Sequence, residues 1–141
     1  MKTPVAALAV LSILSAALTG CGPSGGSGAS GQAGDKFAGL DGEILKWRQE
    51  IIASDPLCKR TADDEKCQSF EVACKAERTV TPADQAKGVS ARVVTMITWN
   101  GFDPKFNHPQ SGVRTAEFTK TAAGWSRAPH GPVYMQSCGD M

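Results

Sequence analysis

Five cysteines lie in this chain of 141 residues, at positions 21, 58, 67, 74 and 138, and the last four restrict the fold more than any other feature. The first twenty residues have the order of a secretory signal: Lys2, the apolar run Val5 to Leu18, then small residues before a cleavage point. An exported chain enters an oxidising compartment, where an even number of cysteines reads as disulfides. Cys58, Cys67, Cys74 and Cys138 allow three pairings. Cys67 and Cys74 would stand about 10 Å apart in a helix or more than about 20 Å apart in a strand, beyond the ~7 Å that a bridge spans, which leaves two. The favoured one joins Cys58 to Cys67, closing a charged loop, and Cys74 to Cys138, clamping the C-terminus to the first strand. Zinc is the competing use of four thiols. The spacings of nine, seven and sixty-four lack the close pairs, such as C-x2-C, from which structural zinc draws its ligands.

Cys21 ends the apolar run, and Leu18-Thr19-Gly20-Cys21 resembles the lipobox of bacterial lipoproteins at all four positions. The resemblance implies that the Cys21 sulfur carries a diacylglycerol group, that the signal 1–20 is removed and that the new amino group is acylated too. Each buried methylene contributes about 0.8 kcal/mol, so one chain holds marginally and two or three hold stably. Gly22 in place of Asp implies the outer membrane if the organism is a diderm. A retained spanning helix fits less well, because it needs about 20 apolar residues and this run is shorter and contains Ser12 and Ser15. Residues 22–34, GPSGGSGASGQAG, have no charge and no large apolar side chain, and read as a flexible tether whose ends average roughly 20 Å apart.

Residues 35–141 read as one small α+β domain. Phe37, Leu40, Ile44, Trp47 and Ile51 recur at intervals of three and four, which predicts one amphipathic helix of about four turns with this stripe in the core. Asp41 and Glu43 suit its start, and Asp55-Pro56 ends it. In SFEVACKAERTV, Phe70, Val72, Cys74 and Ala76 alternate with Glu71, Lys75 and Glu77, which predicts a strand with one wet face. Thr81-Pro82-Ala83-Asp84 has the form of a helix start, stopped by Gly88. VSARVVTMITW is apolar on both faces, as a central strand is when a helix covers one side and loops the other. RTAEFTKTAAGWSRA reads as two strands joined around Ala122-Ala123-Gly124. The expectation is a long helix packed on a three- or four-stranded antiparallel meander. This order resembles the cone-shaped NTF2-like and cystatin-like domains, in which a curved sheet wraps a helix, and AEFTKTAAGW looks like the hairpin that closes them. Such folds serve binding, enzymatic and inhibitory roles alike.

The balance of 15 Lys and Arg against 14 Asp and Glu argues against a nucleic-acid partner. No G-x-S-x-G elbow or phosphate-binding loop is present, and no cofactor, metal or catalytic residue is expected. His108 and His130 neighbour prolines and read as exposed turn residues, and Asp63-Asp64-Glu65 as a solvated loop. Residues 78–127 hold seven basic side chains against three acidic; Lys87, Arg92, Arg114, Lys120 and Arg127 are candidates for an anionic surface such as lipid headgroups or a cell-wall polymer. TWNGFDPKFNHPQSG is expected to be a long connection presenting Trp99, Phe102 and Phe106, with His108, to a partner or ligand. The reading that follows is a lipid-anchored envelope protein, non-catalytic, whose domain binds an envelope protein or cell-wall component. A small-ligand or enzymatic cone domain and an inhibitor of envelope-directed enzymes are the alternatives. An open pocket with converging polar side chains would favour the former; a filled core with an exposed aromatic loop favours partner binding.

Overall fold

Helix α1 (Leu40–Ser54) buries Leu40, Ile44, Trp47 and Ile51, the side chains that a 3.6-residue turn brings to one face. It belongs to a computed structural model that describes residues 35–141; the signal 1–20, Cys21 and the tether 22–34 lie outside the described residues. Phe37 sits in a turn ahead of α1 and packs partly buried on the same core. The helix starts at Leu40 because Gly39 adopts φ +86°, a conformation that strains other residues, and the Trp125 ring stands 3.6 Å from where a Cβ would be. At the far end Asp55 is extended ahead of Pro56 and stops the helix. Its buried carboxylate accepts from the Leu57 amide at 3.0 Å and from Arg114 Nη2 at 2.8 Å, so burial leaves it partnered.

Strands β1 (Gln68–Arg78), β2 (Ala91–Asp103), β3 (His108–Thr121) and β4 (Gly124–Pro129) form an antiparallel meander in chain order. Before β2, the turn of helix α2 (Pro82–Ala86) is held by reciprocal bonds between Thr81 and Asp84, the capping box its sequence predicts. Side chains alternate across β2, so Val93, Ile97 and Trp99 meet α1 together with Ala116 and Phe118 of β3. Trp47 meets Phe118 edge to face, with ring centroids 5.8 Å apart. Val94 and Met96 face the other way, where Val133, Cys138 and Cys74 cover them. That cover is the segment 130–141, whose one strand-like contact is the Val133–Asp140 bridge. Cys58 pairs with Cys67 and Cys74 with Cys138, the expected disulfides.

Two stretches depart from the pattern read along the sequence. In β1 the register shifts at Ala73, between Val72 opposite Ile97 and Cys74 opposite Met96. This bulge turns Phe70 and Val72 toward α1 but Cys74 and Ala76 toward the opposite face, so the four do not share one side. The expected long connection after Trp99 is instead a continuation of β2 to Asp103, with β3 resuming at His108 after a four-residue turn. Trp99 is 2% and Phe102 8% exposed, so neither is presented to solvent. Two glycines of this stretch, Gly101 and Gly112, are places of close approach. A Cβ on Gly112 would lie 2.1 Å from the Trp99 indole, and one on Gly101 2.7 Å from Leu57.

Gly112→Ala should therefore displace Trp99 and cost more than about 2 kcal/mol in denaturant unfolding, since overpacking a filled core forces side chains off their rotamers. The Cys74–Cys138 bridge closes a 64-residue separation, for which chain entropy gives about 4 kcal/mol. Reduction of the intact protein should lower Tm by more than about 10 °C in calorimetry, whereas an unchanged melt would remove the clamp from the account.

Candidate functional site

The turn between β2 and β3 is a braced knob. Asp103 Oδ1 accepts from the amides of Lys105 at 2.7 Å and Phe106 at 3.0 Å, and the Asp103 carbonyl accepts from Asn107 N at 2.9 Å. Asn107 takes φ +56°, which Asn tolerates better than most side chains. Arg60, inside the Cys58–Cys67 loop, donates to Asn107 Oδ1 at 2.9 Å, lies 5.1 Å over the Phe102 ring and pairs with Glu65 at 3.4 Å. Buried Phe102 thus anchors the turn from below while the disulfide loop holds it from the side. On this support Phe106 is 64% exposed, stacked on His108 at 6.2 Å and 14°, with Lys105 Nζ 5.1 Å from its centroid. An aromatic ring fixed before contact loses little conformational freedom on binding, the property that makes such side chains anchors at interfaces.

The turn stands at the end of the sheet remote from the start of the domain. Lys120 donates to the carbonyls of Asp35 and Lys36, and Lys120 pairs with Ala91, the first residue of β2. The 13 residues of β2 then run about 40 Å to Asp103.

A groove of about 510 Å³ opens between α1 and β1. Ile44, Leu45, Val72, Phe70 and Ile97 give it an apolar lining, and Asp41, Arg48, Glu71 and Lys75 contribute charge. Lys75 pairs with Asp41 at 3.2 Å, and Arg48 lies 4.9 Å over Phe70. Two of these charges are spent on each other and a third on an aromatic face. The groove is a surface feature at the sheet edge, beside the buried cluster that α1 makes with β2 and β3.

The remaining candidates resolve into structural roles. Of the five basic residues, Arg92 pairs with Asp84 and Glu117, Arg114 with Asp55 and Arg127 with Glu50, while Lys120 donates to backbone. Acids of both halves thus neutralise the basic residues, and Lys87 alone of the five has no such partner among the described residues. Asp63 pairs with Lys66 and Glu65 with Arg60. His108 is exposed at the turn, but His130 is half-buried, its Nε2 3.5 Å from Asp140. Among the described residues no three His, Cys, Asp or Glu side chains gather as metal ligands. Hydrogen bonds hold several carboxyls below the usual range: Arg127 acts on Glu50, Thr81 on Asp84 and Lys66 on Asp63, while Glu117 raises Arg92. Each shift favours the charged form of a group fixed by a pair or a turn, opposite to the raised carboxyl of a general acid.

Comparison with known protein families, with characterised proteins and with solved structures finds no match to this chain. The hairpin turn had a partial signal in its sequence, in Asp103-Pro104 and the adjacent aromatic. What the sequence hid was that two of its three rings point into the core.

Asp103 is held below the usual carboxylate range, chiefly by the Phe106 amide, with the Lys105 amide and the His108 and Lys105 charges adding to it. Because the folded value is depressed, the ionised carboxylate steadies the turn above about pH 4 and that contribution is lost as pH falls through the lower folded value. The Lys105 and Phe106 amide resonances should therefore move together below pH 4. In Asp103→Ala this titration should vanish, and so should the NMR contact between Phe106 and His108 at neutral pH, with the melting temperature little altered.

Proposed function

We propose that this chain is an exported lipoprotein, anchored through Cys21 to the envelope membrane and to the outer membrane in a diderm, whose domain 35–141 is a non-catalytic module that binds an envelope protein or cell-wall component through its β2–β3 turn. The observation that carries the binding role is the 64% exposed Phe106 on a turn braced by Asp103, Phe102 and Arg60. Its position supports the same reading. A tether joined at Asp35 reaches the domain at one end of the sheet, and Phe106 is displayed about 40 Å away at the other, where a leash of roughly 20 Å lets it sweep the space beside the bilayer. The disulfides suit an oxidising compartment, which agrees with the secretory signal.

A second reading, small-ligand binding of the kind that cone-shaped domains perform, draws on the groove between α1 and β1, whose apolar lining of Leu45, Val72 and Ile97 suits a hydrophobic molecule.

The test has two arms in cells. Cys21→Ser should move the protein from the membrane pellet to the soluble fraction and abolish incorporation of labelled fatty acid; retention in the pellet would overturn the anchor. A photo-crosslinking residue at position 106 should give a discrete adduct that the same residue at exposed position 87 does not. Equal labelling at both positions, or none at 106, would remove the turn as the contact.

A further inference from the structure

At the end of the sheet that carries the β2–β3 turn, the register lines up three polar side chains. Gln68 of β1 stands opposite Asn100 of β2, and Asn100 opposite Ser111 of β3. Neighbouring strands lie about 4.8 Å apart, so the row is about 10 Å long. Trp99 and Gly112, the next pair along, meet on the side of the core, and the alternation of a strand turns Asn100 and Ser111 to the other side. Gln68 enters the row through a second irregularity in β1, one extra residue between Gln68 and Glu71, where Ser69 takes φ +56°. In regular pairing Gln68 would meet Gly101 instead. Serine rarely adopts that conformation, and a bulge of this kind re-aims a side chain at a local cost.

The row borders a cavity of about 390 Å³ that Gln110, Asp64 and Lys66 also line. Among the described residues the carboxamides of Gln68 and Gln110 and the carboxylate of Asp64 have no hydrogen-bond partner, and Asn100 only accepts, from Ser111 at 3.4 Å, which leaves its amide N–H groups free. Lys66, the cation of the lining, is spent on Asp63 at 2.7 Å. With that cation occupied and a bare carboxylate at the rim, the cavity disfavours a polyanion. What it offers is a set of neutral groups that both donate and accept, as sugar hydroxyls do, and a carboxamide pairs reciprocally with an acetamido group. An aromatic platform stands beside it. His108, two residues and about 7 Å before Gln110 on β3, carries the stacked and exposed Phe106 ring. The electron-rich face of such a ring attracts the C–H face of a pyranose, and the Lys105 stem near it is exposed and free to move aside.

We propose that this cavity binds a neutral, N-acetylated glycan strand, with Gln68, Asn100 and Gln110 bonding its hydroxyl and acetamido groups and Phe106 stacking on a sugar ring. The site names the cell-wall component of the reading above and rests on the turn being the contact surface.

The experiment uses the full-length Cys21→Ser chain with both disulfides intact. Chitohexaose, a neutral chain of N-acetylglucosamine, is titrated while the side-chain amide resonances of Gln68, Asn100 and Gln110 and the ring resonances of Phe106 are followed, and the affinity is measured by calorimetry. These resonances should move together along one isotherm. Asn100→Ala with Gln110→Ala, both exposed positions, should keep the melting temperature and weaken binding at least about tenfold. Phe106→Leu, which keeps an apolar side chain but no ring face, should weaken it as well, and cellohexaose, which lacks the acetamido groups, should bind less tightly than chitohexaose. Unmoved amide resonances, undiminished affinity in the double variant, or cellohexaose bound as tightly would each overturn the site. Absence of chitohexaose binding would overturn it even where position 106 still gives its discrete adduct in cells, so the glycan site and the contact surface fail separately.

Discussion

The disulfide between Cys74 and Cys138 lets a long central strand be buried on both faces. Strand β2 is apolar on either side, and α1 is long enough to cover only one. The other cover is the segment 130–141, which has no helix and a single strand-like bridge, so few backbone bonds hold it in place. Left free, it would lose much conformational entropy for the burial of Val133 and little else. The crosslink removes most of that loss in advance, and the salt bridge from Arg78 to Asp140 with the bond from Arg78 to the Cys138 carbonyl then fixes the segment's direction. The bulge at Ala73 belongs to the same device. Without the extra residue, Cys74 would face α1 with Val72 and could not reach Cys138.

Similar economy governs the ends and edges of the sheet. Strand β1 is an edge, and its bulge together with exposed Lys75 and Glu77 discourages another strand from pairing there. The opposite edge, β4, is six residues long and ends in Pro129. The ion pairs that tie α1 and the turn before it to the sheet, Lys36–Glu77, Lys75–Asp41 and Arg127–Glu50, are largely solvent-exposed, so each adds little stability. The Cys58–Cys67 loop is braced differently: it presses Leu57 against Gly101 and sends Arg60 to the turn at Asn107, so the second disulfide rigidifies the candidate contact surface.

How much of this was legible varies with the range of the interaction. The stripe on α1, the capping box at Thr81, the strand character of β2 and the hairpin at Ala122-Ala123 are local, because periodicity and cap chemistry depend on neighbours in the chain. Spacing and the reach of a bridge left two disulfide pairings, and the structure holds the favoured one. Trp99 and Phe102 were misplaced because Asn100-Gly101 and Gly112 carry the composition of a turn, yet here glycine makes room for Leu57 and for an indole from other strands. The basic sheet half had the same fault: its charges were counted along the chain, whereas their partners Asp55, Asp84, Glu117 and Glu50 come from both halves.

The sequence by itself determined the class of fold, its order of elements and the one buried helix face, and narrowed the crosslinks to two pairings, since each rests on residue spacing and covalent reach. Only the tertiary structure decided which aromatics meet solvent and which charges are paired. Those depend on a bulge that reverses one strand and on a C-terminal segment that crosses the far face of the sheet, and neither writes a period into the residues that it displaces.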